Sequence, residues 1–174
     1  RPDYIICDVG ATVVDGETLQ AVYPLQSEIA STWPGEQVVL QRMAGFAGLE
    51  RQNVPQQRRC SYFCEPGAVT DEVREAGLAL GCDVLFSAGM YLDLLPGGVN
   101  KGTTLKRLIK HLDAEFDEVL VAGDTLNDLS MYEQGFKGVC VGESEQGLLQ
   151  ATSDRAKVLH AKLSGCGGIL EALG

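Results

Sequence analysis

The densest run of reactive side chains is Val119-Leu120-Val121-Ala122-Gly123-Asp124-Thr125-Leu126-Asn127-Asp128. An apolar stretch ends in glycine, and two carboxylates and an amide follow at once. In an open α/β sheet, ligands bind beyond the carboxyl ends of the strands. Asp124 and Asp128 are spaced by one helical turn, so both can face such a crevice. Two hard oxygen donors there suit Mg²⁺, which takes one or two protein carboxylates together with water and phosphate oxygens. The blander account is that Asp124 or Thr125 caps the next helix. A cap alone does not call for Asp124, Asn127 and Asp128 together after a glycine.

A second run is Pro96-Gly97-Gly98-Val99-Asn100-Lys101-Gly102-Thr103-Thr104-Leu105. It sets a lysine at the start of a helix, among glycines that permit close backbone approach. An ammonium beside free helix N–H groups makes an anion site. A lysine is unfavourable for the helix at that end, which argues for a role. Standing alone, the segment would read as a solvated surface lysine.

These runs need elements to hold them. Tyr4 to Val9 and Ala11 to Val14 read as strands about Gly10, with a turn at Asp15-Gly16. Helical spacing follows from about residue 24 to 46, broken at Pro34-Gly35. Arg58 to Cys64 reads as a strand. Val69 to Leu80 reads as a helix with Thr70 as N-cap and Gly81 as C-cap. Asp83 to Ser87 and Met90 to Leu95 read as strands. After Pro96 the rhythm becomes helix 101–112, strand 118–122, helix 127–134, strand 138–141, helix 146–151, weak strand 156–159 and helix 167–173. Alternating buried strands and helices predict a doubly wound parallel sheet. The expectation is therefore an α/β core formed by residues 1–14 and 96–174, with an inserted α+β cap over 15–95.

Composition narrows the function. The 174 residues carry a net charge of -10, which repels phosphate backbones and excludes nucleic acid as a natural partner. A small anion remains acceptable where a metal or local cations neutralise it. Six cysteines (Cys7, Cys60, Cys64, Cys82, Cys140 and Cys166) are scattered through apolar runs. They read as buried free thiols rather than a zinc site, which favours a reducing cytoplasm. No apolar run approaches the roughly 18 residues of a membrane span. The chain opens on Arg1-Pro2 without methionine, which reads as a cut or processed end.

Asn100-Lys101-Gly102 and the Gly-Asp-x-x-Asn-Asp block resemble the third and fourth motifs of haloacid-dehalogenase phosphatases. Arg1-Pro2-Asp3-Tyr4-Ile5-Ile6 with Val9-Gly10, then Phe86-Ser87-Ala88-Gly89, Leu92-Asp93-Leu94-Leu95-Pro96 and Gly167-Gly168-Ile169-Leu170-Glu171-Ala172-Leu173, are similar to segments of the sucrose-phosphate phosphatases within it. Glucosylglycerol-phosphate and mannosylfructose-phosphate phosphatases belong to the same group. The resemblance implies a haloacid-dehalogenase-like core with a cap, and hydrolysis of a sugar or glycosyl-polyol monophosphate with Mg²⁺. It implies that Lys101 holds the transferring phosphoryl group, that Asp124 is a metal ligand, and that Asp128 binds metal through water or fixes its neighbours. Asn127 would orient the phosphate, with Asn100 and Thr125 on the substrate side.

One departure is large. The family's first motif, Asp-x-Asp-x-Thr, is absent from the 174 residues. Asp8-Val9-Gly10-Ala11-Thr12 has glycine where the second aspartate should stand, so Asp8 is a poor candidate nucleophile. The nucleophile is expected upstream of Arg1 or on a companion chain, and the chain alone is expected to be inactive.

In the cap, Arg58, Arg59, Ser61 and Tyr62 mix cations, hydroxyl and ring on one strand, a composition that can grip polyols or phosphate. Arg59, Ser61 and Tyr62 are the substrate-binding candidates there. Met90 and Trp33 read as packing, and His111 and His160 as surface or helix-end residues. The rival to an enzyme is a non-catalytic lobe that binds a sugar phosphate or docks on a glycosyltransferase domain. The missing first motif is what supports that rival.

Overall fold

In the computed structural model of the chain, residues 1–55 and 57–174 are described. They form two compact units, Arg1–Asn100 and Lys101–Gly174.

The first unit opens with an antiparallel hairpin, β1 (Tyr4–Cys7) and β2 (Thr12–Asp15), with Tyr4 opposite Asp15. The first strand ends sooner than its apolar run suggests. Asp8, Val9 and Gly10 all adopt positive φ and turn the chain there. That backbone is costly for a β-branched valine and natural for glycine. Helix α1 (Leu25–Ala30) is tied to this hairpin by the buried Gln26. Its amide accepts from the Val13 N–H at 2.8 Å and donates to the Ala11 carbonyl at 3.1 Å. A buried amide is tolerated because its polar atoms are matched. Helix α2 (Glu36–Met43) follows after Pro34-Gly35.

A four-stranded antiparallel sheet comes next, in the order β3 (Glu50–Arg51), β4 (Cys60–Phe63), β6 (Tyr91–Pro96), β5 (Cys82–Ser87). Helix α3 (Asp71–Ala79) lies between β4 and β5 in sequence. Thr70 caps it by accepting from the Val73 N–H, and Gly81 takes φ +76° just past its end. Period-2 alternation splits the sheet's faces. Cys60, Tyr62, Cys64, Leu92 and Leu94 pack with Val39, Met43, Val73 and Ala76 of α2 and α3. Trp33 rests against this core. Arg59, Ser61, Phe63, Tyr91 and Asp93 alternate onto the other face.

The second unit is a parallel sheet, β7 (Leu120–Gly123), β8 (Lys137–Cys140), β9 (Val158–His160), with Val121 beside Gly138 and Gly138 beside Val158. Its helices are α4 (Lys101–His111), α5 (Leu129–Glu133), α6 (Gln146–Thr152) and α7 (Cys166–Leu173). Val121, Tyr132, Phe136, Cys140 and Leu148 form its core. The Tyr132 hydroxyl keeps a partner there by donating to the Val139 carbonyl at 2.8 Å.

Some expectations shift. The helix expected at 127–134 is a 3-10 turn over Leu126–Asp128 followed by α5. Four cysteines are buried thiols, but Cys7 and Cys166 are exposed. Burial pushes the Cys60 thiol up to about 12 and the Cys82 thiol up to about 11. Met90, read as packing, is exposed. His160 stands at the end of β9 with Nε2 2.8 Å from the Thr152 hydroxyl, so it has a partner. No helix among the described residues is long and apolar enough to cross a membrane.

Candidate active site

The apolar strand β7 delivers Gly123 and Asp124 to its carboxyl end, and α4 begins at Lys101 in the same unit. The Lys101 ammonium lies 2.7 Å from Asp128 Oδ1 and donates to Asn127 Oδ1. Asp128 is only 6% exposed. Its second oxygen, Oδ2, accepts from the Asp124 N–H at 3.1 Å, the Thr125 N–H at 3.3 Å and the Thr125 hydroxyl at 3.4 Å. One carboxylate thus sets the backbone of the loop with one oxygen and anchors the lysine with the other. Charge-assisted bonds of this kind are stronger than neutral ones, and the cation offsets the cost of burying the carboxylate. Thr125 is drawn into this loop network by its own N–H and hydroxyl.

The approach is close because two glycines permit it. A Cβ on Gly123 would meet the Asp128 side chain at 2.5 Å, and one on Gly102 would meet the Ser130 carbonyl oxygen at 1.9 Å. The Gly102 N–H donates to the Ser130 hydroxyl at 3.1 Å, which seats the first turn of α4 beside α5.

Sequence reasoning missed the residues that brace the loop from the next strand. Glu145 accepts from the Leu126 N–H at 2.8 Å, and its own N–H donates to the Asp124 carbonyl at 2.8 Å. Ser144, buried, donates to the Val141 carbonyl at 2.6 Å and lies 3.5 Å from the Gly123 carbonyl. The signal was present: Val141-Gly142-Glu143-Ser144-Glu145 follows apolar β8, and neighbouring parallel strands bring their carboxyl ends to one rim.

Asp124 itself is exposed, and its side chain enters no hydrogen bond or ion pair among the described residues. Asp128, by contrast, has both oxygens engaged. Among the described residues, no group of three or more His, Cys, Asp and Glu side chains is placed to hold a metal ion. This donor set fits a hydrated Mg²⁺ that takes one carboxylate from these residues and fills its shell with water and substrate oxygens.

In the first unit, the sheet face opposite the α2–α3 core carries a second, largely buried polar cluster. Ser61 and Asp93 are paired across β4 and β6, and the Ser61 hydroxyl donates to Asp93 Oδ1. Arg59 lies between two carboxylates, 3.9 Å from Asp93 Oδ1 and 3.9 Å from Asp8 Oδ1. These ion pairs are longer than hydrogen bonds, and the buried Arg59 Nε has no hydrogen-bond partner among the described residues. Thr12 donates to Asp8 Oδ2 at 2.8 Å. Burial pushes the Asp93 carboxyl above its usual range, while the Ser61 hydroxyl and Arg59 pull it back. Tyr62 does not share this face. It is 4% exposed among Cys60, Cys64 and Leu92, because neighbouring strand residues point to opposite sides. Its grouping with Arg59 and Ser61 is corrected accordingly. Arg58 reaches its neighbour Gln57. Asn100 is half-buried directly before α4 and has bonding partners of its own.

Comparison with known proteins adds an independent line. The family model described as sucrose-6F-phosphate phosphohydrolase matches residues 1–174. A glucosylglycerol-phosphate synthase of Pseudomonas anguilliseptica is 57% identical over 173 residues, which are 99% of this chain and 23% of that protein. A probable sucrose-phosphatase 2 of Arabidopsis thaliana is 31% identical over 188 residues, covering 99% of this chain and 44% of that protein. The X-ray structure of the sucrose-phosphatase from Synechocystis sp. PCC6803, in complex with sucrose and phosphate, superposes with a TM-score of 0.84 at 27% identity, over 99% of this chain and 73% of that one. The chain thus spans less than half the length of these two sequence relatives. Its fold is that of haloacid-dehalogenase-like hydrolases, and the chain belongs to the sucrose-6F-phosphate phosphohydrolase family.

Proposed function

We propose that the chain is part of a Mg²⁺-dependent phosphatase acting on a sugar or glycosyl-polyol monophosphate. The observation that carries this reading is the Lys101 ammonium, anchored by Asn127 and Asp128 beside the loop that presents Asp124. A fixed cation beside an exposed carboxylate is suited to a dianionic phosphoryl group. The names of the relatives, glucosylglycerol-phosphate synthase and sucrose-phosphatase, support a glycosyl phosphate as substrate class.

In this reading the hairpin 1–14 and residues 96–174 act as the core, and residues 15–95 as the cap. Lys101 pairs with the transferring phosphoryl oxygens and lowers the charge met by the nucleophile. Asn127, whose Oδ1 accepts from the ammonium, orients the phosphate. Asp128 is a positioning residue: it fixes Lys101 and the 124–125 backbone. Asp124 is the metal-facing carboxylate, and Mg²⁺, when bound, stabilises charge on the equatorial oxygens. The attacking aspartate is supplied from outside residues 1–174. It attacks phosphorus as the P–O bond to the sugar breaks, and the sugar leaves as its protonated hydroxyl. Water then hydrolyses the aspartyl-phosphate to inorganic phosphate and the free carboxylate. Among the described residues β7 is an edge strand of its sheet, and a further strand pairing there would bring the attacking aspartate. Within the first unit, Arg59 is the candidate sugar-phosphate contact, beside Ser61 and Asp93; within the second, Thr125 is the candidate.

The test joins the chain to an upstream segment bearing Asp-x-Asp-x-Thr and screens sugar and glycosyl-polyol monophosphates for phosphate release. Release that needs Mg²⁺ and stops with a chelator is expected. No release from any member of the panel would overturn the enzyme reading. It would favour a lobe that binds sugar phosphate or docks on a glycosyltransferase domain. The motif's absence from these residues and the synthase name of the 57% relative are the observations behind that second reading.

A further inference from the structure

Helix α4 carries a second cationic feature that the Lys101 site does not use. Lys106, Arg107 and Lys110 recur at helical spacing and line a hollow of about 570 Å³ whose wall includes Ile109, Phe116 and Asp113. At 3.6 residues per turn, Lys110 lies half a turn round the helix from Lys101, so the hollow and the Lys101 site open on different sides of α4. Three cations against one acid make the hollow net positive, in a chain with 14 Lys and Arg against 24 Asp and Glu. That contrast concentrates anions locally.

The cations have few competing duties. The Lys106 ammonium lies 5.9 Å from the centre of the Phe116 ring and enters no hydrogen bond or ion pair among the described residues. Lys110 likewise enters none. Arg107 has bonding partners of its own and adds charge rather than a free donor. A basic residue in the last turn of a helix favours the macrodipole, which accounts for Lys110. It does not account for Lys106 in mid-helix at the rim of an apolar hollow. Phe116 is held in place by stacking on Phe136 at 4.0 Å between ring centres, so the apolar wall is rigid.

We propose that this hollow is a binding site for a phosphate ester with an apolar or aromatic organic part, separate from the Lys101 site. Lys106 and Lys110 take the phosphate oxygens, and Ile109 and Phe116 pack against the organic part. A cavity of this size with a few converging charges on an apolar wall suits a small ligand. A polar sugar would leave that wall unused.

The experiment titrates the 174-residue chain with phenyl phosphate, without Mg²⁺, by calorimetry, and repeats it with inorganic phosphate. Saturable binding of phenyl phosphate is expected, tighter than that of phosphate and weakening as salt is raised. The Lys106→Glu/Lys110→Glu variant should bind roughly tenfold or more weakly, as loss of charge-assisted contacts implies. Lys106→Gln/Lys110→Gln removes the charge without reversing it and should weaken binding in the same direction with thermal unfolding unchanged. Lys101→Met should leave binding intact. The proposal is overturned if phenyl phosphate does not saturate, if inorganic phosphate binds equally well, or if Lys101→Met abolishes binding while the paired variants keep it. The readout is binding rather than turnover, so its failure leaves the phosphatase reading standing.

Discussion

Lys101 Nζ and Asp128 Oδ1 stand 2.7 Å apart, and the same carboxylate holds the Asp124 and Thr125 N–H groups with its other oxygen. The lysine's position and the loop's shape are therefore one arrangement, set by a buried acid. Replacing Lys101 with Met should cost phosphate release on the order of hundreds-fold or more in the chain supplied with its nucleophile. It also leaves Asp128 without its counter-charge, so thermal unfolding should come earlier. Unchanged turnover would remove Lys101 from the chemistry.

Gly123→Ala tests the same arrangement sterically. The new methyl would sit 2.5 Å from the Asp128 Cβ. Forcing extra volume into such a contact costs about 1–3 kcal/mol. A lower urea midpoint is expected, together with loss of Mg²⁺-dependent phosphate release. A variant that is stable and active would show that the loop does not need its close approach to the strand.

Asp124→Asn separates fold from function. Because Asp124 is exposed and carries no side-chain bond among the described residues, its stability should match the parent protein within about 0.5 kcal/mol. The Mg²⁺ concentration needed for half-maximal phosphate release should rise at least tenfold, or activity should vanish. Magnesium dependence equal to that of the parent would exclude Asp124 as the metal-facing group.

At Asp93 burial outweighs the Arg59 ion pair and the Ser61 hydrogen bond, so its pH prediction runs opposite to that of an acid governed by its ion pair. Burial raises its folded-state pKa above the unfolded value. Between the unfolded value, about 3.9, and the raised one, the folded state holds more protons than the unfolded state. Stability contributed through Asp93 is then full below the unfolded pKa and declines as pH rises through that window. Urea unfolding of the parent and of Asp93→Asn across this window should differ by a term that falls with pH in the parent alone. A pH-independent difference would contradict the assigned burial effect.

Much of this was legible from local pattern. The apolar run 119–122 with its terminal glycine became strand β7, Thr70 capped α3 as read, and Lys101 began a helix as its flanking glycines suggested. Such features depend on backbone propensity and capping within a few residues, so a single chain segment contains their cause. The acids of 124–128 and Lys101 are likewise marked by their place after an apolar strand and at a helix start.

Other features rest on contacts between distant segments. The pairing of Ser61 with Asp93 follows from strand register, and the packing of α2 and α3 on one face decides that Tyr62's side of β4 is the apolar core. The 141–145 loop reaches back to Asp124 and Leu126 because β8 lies beside β7. The division of labour within Asp128 emerged only when Lys101, 27 residues away, arrived at its first oxygen. Sequence determined which residues could carry charge and which backbone would turn, since both are properties of a residue and its neighbours. Tertiary structure decided which oxygens were occupied and which stayed available, since that depends on what else packs within a few ångströms.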